Sequence, residues 1–172
     1  MTDDVAKCVA FAGARHDHDH CMADALATAE QLCARRGARL TRLRRRVLEL
    51  VWTSHVPVGA YDLLRRLSRE HESAAPPTVY RALEFLLEHG LIHRIESRNA
   101  FVGCAAPAEA HAGQFLICRG CGMAAELADP RIDEALAGGA EALGFTVEHT
   151  TVELSGLCPT CRDRGHAPER SN

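Results

Sequence analysis

Pro76-Pro77-Thr78-Val79-Tyr80-Arg81-Ala82-Leu83-Glu84-Phe85-Leu86-Leu87-Glu88-His89-Gly90 is the stretch whose reading decides the fold. Two prolines open it and a glycine closes it, the asymmetry expected of a helix with a sharp start and stop. Val79, Leu83, Leu86 and Leu87 fall on one stripe, leaving Tyr80, Arg81 and Glu84 largely outside it. A helix with an apolar back and hydrogen-bonding side chains in front suits a DNA groove. Arg81 can reach guanine with two parallel hydrogen bonds, although a phosphate contact or a solvent position competes with that reading.

Working outward, Leu91–Glu96 and Ala100–Cys104 read as two short strands around a Ser97-Arg98-Asn99 turn. Upstream, Tyr61 to Glu70 reads as a helix with Leu63, Leu64 and Leu67 inward, preceded by a break at Pro57 and Gly59. Thr41 is a suitable N-cap for a helix whose stripe is Leu43, Val47, Leu50 and Val51. A first helix is expected from Ala23 to Arg36, with Leu26, Ala29 and Cys33 inward and Gly37 ending it. Helices ending in such a hairpin make a winged helix-turn-helix.

Charge supports this placement. Of a net −3, residues 22–97 hold twelve basic and nine acidic side chains, whereas residues 98–172 hold six and ten. Arg35, Arg36, Arg39, Arg42, Arg44, Arg45 and Arg46 form one dense run. Such a run fits a surface that meets phosphate, with affinity rather than sequence choice as its contribution. A solvated helix face has the same composition.

After Ala105–Ala110 the composition changes. Gln114–Cys118 and Met123–Ala128 read as strands, Asp129-Pro130 opens a helix ending near Leu143-Gly144, and Phe145–Leu154 alternates as a half-buried strand should. Cys118-Arg119-Gly120-Cys121 and Cys158-Pro159-Thr160-Cys161 flank this segment. Each loop sets two thiolates at the separation that tetrahedral zinc needs, and two such loops close a four-thiolate structural site. A redox dithiol or a pair of disulfides is the competing reading, and disulfides need an oxidising compartment. No apolar run is long enough to span a membrane, and the N-terminus, with Asp3 and Asp4, shows no signal core; a cytoplasmic protein is expected.

The chain resembles the ferric uptake regulator family, most closely its zinc-responsive branch, over about residues 23–161. The motifs are Arg39-Leu40-Thr41, Ala60-Tyr61-Asp62-Leu63-Leu64, Pro77-Thr78-Val79-Tyr80-Arg81-Ala82-Leu83, Gly90-Leu91-Ile92-His93, His111 before Phe115-Leu116-Ile117-Cys118, and the two Cys pairs. The resemblance implies an α+β protein: an N-terminal winged-helix DNA-binding domain and a small C-terminal α/β dimerisation domain with a structural zinc. The expected segments are a flexible arm at 1–21, the winged helix at 22–104, a hinge at 105–113, the dimerisation domain at 114–161 and a disordered tail at 162–172.

It further implies a homodimeric repressor of zinc-uptake genes that binds double-stranded operator DNA when loaded with zinc, with neither enzymatic activity nor a small-molecule substrate. Two zinc ions per monomer are expected. One is structural, on Cys118, Cys121, Cys158 and Cys161; the other is regulatory, on His93, Cys104, His111 and Glu126. The thiolate of Cys104 favours zinc over iron or manganese. Tyr61 and Arg81 are the expected base contacts, and Tyr80, Arg39, Arg42 and Arg44 further DNA contacts; helix packing competes for Tyr61.

Three rivals remain: a regulator of iron, manganese or nickel, a zinc or thiol enzyme, and a zinc-binding interaction module. A zinc deaminase needs His-x-Glu ahead of Pro-Cys-x-x-Cys, which does not occur here in that form. His149 matches one position of a second sensory site, but a strand histidine satisfied by hydrogen bonds is the plainer reading. His16-Asp17-His18-Asp19-His20-Cys21 can bind an extra zinc or nickel ion weakly, or is a solvated arm. Cys33 reads as a small core residue.

Overall fold

The computed structural model describes residue 11 and residues 18–70, 75–108 and 113–165. They fall into two compact units, one within residues 14–109 and one within residues 110–172 joined by Phe11.

In the first unit, α1 (His18–Arg35), α2 (Arg42–Val51), α3 (Ala60–Glu70) and α4 (Pro76–Glu88) precede a hairpin of β2 (Ile92–Ile95) and β3 (Ala100–Gly103). A two-residue strand, β1 (Val58–Gly59), completes an antiparallel sheet in the order β1-β3-β2. Helix α1 starts at His18 rather than Ala23, so residues 18–21, expected in the arm, are helical. Leu26, Ala29, Leu32 and Cys33 of α1 pack with Val47, Leu48 and Val51 of α2, Leu63 and Leu67 of α3, and Val79, Leu83 and Leu86 of α4 in one core. Cys33 is thus a core residue, as its sequence position suggests.

Local chemistry sets the helix ends. The Thr41 hydroxyl accepts from the Arg44 N–H at 3.4 Å and caps α2. Pro76 and Pro77 open α4, and Gly90 follows its C-cap His89 at φ 66°. At the hairpin turn Asn99 is left-handed, φ 46°, and its side-chain oxygen accepts from Arg94 at 2.9 Å.

The second unit contains β4 (Gly113–Cys118), β5 (Ala124–Glu126), α5 (Pro130–Ala142), β6 (Thr151–Gly156) and the short α6 (Pro159–Asp163), with sheet order β5-β4-β6. Asp129 caps α5 by accepting from the Arg131 N–H at 3.0 Å. Gln114, fully buried on β4, donates to Asp129 O at 3.0 Å and to the Asp133 carboxylate at 2.8 Å, tying the start of α5 to the sheet. The expected strand Phe145–Leu154 is shortened at its start. Strand β6 pairs in parallel with the six residues of β4, from Gly113↔Thr151 to Cys118↔Gly156. Residues 145–150 run ahead of that register and are not strand.

Candidate metal centres and nucleic-acid interface

The parallel pairing of β4 and β6 is what brings the two Cys-x-x-Cys loops together. Cys118 and Gly156 are the last partners of the ladder, so the chain leaves both strands at the same end of the sheet. The Arg119 N–H donates to Gly156 O at 2.8 Å and fastens one loop to the other strand. Cys158 is the N-cap of α6, and the Cys161 N–H donates back to its sulfur at 3.4 Å. Gly120 is needed by close approach: a Cβ there would stand 2.9 Å from Cys161 Sγ.

The result is four sulfurs, of Cys118, Cys121, Cys158 and Cys161, all within 4.8 Å of one another and in no disulfide. Cys121 and Cys158 Sγ lie 3.9 Å apart. A tetrahedron with zinc–sulfur bonds of about 2.3 Å has edges of about 3.8 Å, so the donor set fits zinc. Burial is the largest influence on the Cys118 thiol and would raise its pKa. The N–H groups of Cys158, Cys121 and Gly120 and the Cys121 thiol together outweigh it and bring the value down to about 6. Burial, then the neighbouring sulfurs, push Cys161 up to about 12. One thiolate forms readily and further negative charge is opposed, the imbalance that a dication relieves.

On the wing, His93 lies in β2 opposite Val102, and Cys104 follows β3, buried, its N–H donating to Leu91 O at 3.1 Å. Their donor atoms are within 4.8 Å of each other. A side chain at Gly103 would run into the Trp52 indole, so the C-terminal end of α2 packs on the residue beside Cys104. Glu126 ends β5, opposite Phe115, with its carboxylate largely buried. His111 lies outside the described residues, as do His16, Asp17 and the side chains of His18 and Asp19. His20 pairs with Asp24 one turn on, at 3.3 Å. His149 precedes β6, and its Nε2 meets the Thr151 hydroxyl at 3.0 Å.

Tyr80 and Arg81 project from the outer face of α4, while Val79, Ala82, Leu83, Phe85 and Leu86 are buried. Tyr61, the second residue of α3, is 75% exposed. The arginine run behaves less uniformly than its composition suggests. The Arg44 guanidinium lies 3.6 Å from the Phe85 ring centroid, Phe85 stacks on His89 at 4.0 Å, and Arg36 donates to His89 O at 2.9 Å. These two arginines grip the back of α4. Arg45 pairs with Glu30 and Glu49, and Arg46 with Glu49 and, bidentately, with Glu70. The grip of Arg36 and Arg44 on α4 was not foreseen in the sequence; the only signal was an excess of arginine over what one exposed face can use.

In the second unit α5 buries no residue, and Leu136, Leu143, Phe145, Val147 and Leu154 are exposed. No helix among the described residues is long and apolar enough to cross a membrane.

The zinc uptake regulation protein of Escherichia coli (strain K12) is 40% identical over 137 residues, covering 79% of this chain and 80% of that protein. Its counterpart in Mycobacterium tuberculosis is 30% identical over 129 residues, 73% and 96% of the two chains. Among solved structures, a zinc uptake regulator complexed with zinc and DNA superposes with TM-score 0.80 at 37% identity, over 85% of this chain and 98% of that one. Holo XcZur superposes with TM-score 0.74 at 45% identity, over 80% and 96%. The sequence model of the ferric uptake regulator family matches residues 35–155, and the chain belongs to that family.

Proposed function

We propose that this chain is a zinc-responsive transcriptional repressor: a homodimer that binds operator DNA when its regulatory site holds zinc and blocks transcription of zinc-uptake genes. The observation that carries the reading is the His93–Cys104 pair, whose donor atoms lie within 4.8 Å on the same wing that follows the exposed Tyr80–Arg81 face of α4. Relatives described as zinc uptake regulation proteins support it.

His93, Cys104, His111 and Glu126 are the regulatory ligands; Cys118, Cys121, Cys158 and Cys161 are the structural ones. In each set, bound zinc supplies a dication that takes four donors tetrahedrally. Cys104 gives the regulatory set its preference for zinc, since iron and manganese favour harder donors. His93 and Cys104 belong to the DNA-reading unit and Glu126 to the other. Shared ligation restricts the orientations of the two recognition helices in the dimer, favouring those one helical turn apart on a pseudo-palindromic operator. A coupling of about 3 kcal/mol changes operator affinity over 100-fold, and by reciprocity DNA tightens zinc binding. Arg81 and Tyr61 read bases; Tyr80, Arg39, Arg42 and Arg44 hold the duplex, with Arg44 also packed against the Phe85 ring of α4. With four protein donors each, both ligand sets would leave no position for catalytic water, so the chain acts on DNA without turnover.

The test is operator binding by fluorescence anisotropy against buffered free zinc, with iron(II) and manganese(II) in parallel. Binding at zinc concentrations far below those of the other metals is expected. Equal potency of iron or manganese would make the protein a regulator of another metal, and metal-indifferent binding would remove the switch.

A further inference from the structure

Phe11 is the only Phe, Tyr or Trp ahead of Trp52 in the sequence, and it falls in the N-terminal segment expected to be an arm, with no assigned task. In the structure it is partly buried against the cluster of Cys118, Cys158 and Cys161, with Leu157. Those three cysteines are almost fully buried, whereas Cys121 is exposed. No sequence motif requires an aromatic ring here, yet a residue far away in the chain packs against the cluster that these three cysteines form.

We infer that Phe11 is a shield for the four-thiolate centre, closing Cys118, Cys158 and Cys161 to water, chelators and thiol reagents and leaving Cys121 as the edge where exchange begins. The physical grounds are general. An apolar shell around a metal site controls solvent access, and aromatic rings make favourable contacts with sulfur. Ligand exchange at a closed tetrahedral site needs an incoming donor or an open edge, and here the apolar cover is interrupted at Cys121. The inference rests on the structural-zinc reading of the four cysteines.

The test uses full-length zinc-loaded protein carrying Cys104→Ser and desalted to remove zinc held weakly by the His16–Cys21 stretch, so that released zinc comes from the thiolate centre. Zinc transfer to a chelating dye is timed for this protein and for Phe11→Ala and Phe11→Leu, with Val56→Ala, at an exposed residue of the other unit, as a control. Release about tenfold faster in Phe11→Ala is expected, the lower end of what loss of an outer-shell partner does, with Phe11→Leu intermediate and the control unchanged. Among the four zinc ligands, alkylation mapped by mass spectrometry should label Cys121 first in the parent and all four at similar rates in Phe11→Ala, Cys21 being a further thiol outside the centre. Equal release rates in parent and Phe11→Ala, or labelling of the four ligands that does not begin at Cys121, would overturn the shield and leave the zinc centre standing. A parent that retains no zinc would overturn both. Should Phe11→Ala not fold, Phe11→Leu decides on the same two readouts.

Discussion

At the scale of single residues, the two functional regions depend on close approaches and exposed polar groups. Alanine at Gly120 would place a methyl group 2.9 Å from Cys161 Sγ, so Gly120→Ala should lower zinc content, measured on purified protein, without replacing a ligand. Arg81→Ala should cost about 1–3 kcal/mol in operator affinity and relax selectivity at one base pair, readable by competition with mutated operators. The outward position of Tyr80 and Arg81 was legible in the sequence because apolar period and prolines leave them no inward alternative. The place of Arg44 was not, because its partner Phe85 belongs to a different helix and only the packed core brings α2 against α4. Arginine composition reports a basic surface and cannot say which guanidinium is already engaged.

At the scale of elements, caps were readable and pairing lengths were not. Thr41→Ala should cost about 1 kcal/mol in denaturant unfolding, since it removes the hydroxyl acceptor at the start of α2. The cap of α5 has a pH signature. The Arg131 side chain, opposed by partial desolvation, holds the Asp129 carboxyl below the usual carboxylate range. A carboxyl depressed in the folded state stabilises fully above its unfolded pKa of about 3.9, and that contribution is lost as pH falls through the folded value. The stability difference between the parent and Asp129→Asn should therefore be constant above about pH 5 and shrink in acid. The strand expected at Phe145–Leu154 starts late because β6 can pair only along the length of β4. Its alternation records a different demand, since Phe145, Val147 and Leu154 remain exposed in the isolated chain.

At the scale of the molecule, those exposed apolar residues, with Leu136 and Leu143 of the helical segment, suit a surface covered by a second copy. Phe145→Glu should shift the protein from dimer to monomer in sedimentation while the zinc content of the thiolate centre persists. Domain order and the two Cys-x-x-Cys pairs were legible because the motifs are local. The meeting of the two Cys pairs depends on the parallel β4–β6 register, which no local pattern encodes. The central claim is that one zinc holds the fold and another controls DNA binding. Its most direct test is zinc content and operator affinity measured on the same preparation of Cys104→Ser. Retention of the thiolate-bound zinc with loss of zinc-dependent DNA binding is the predicted result; an undiminished zinc response would contradict it.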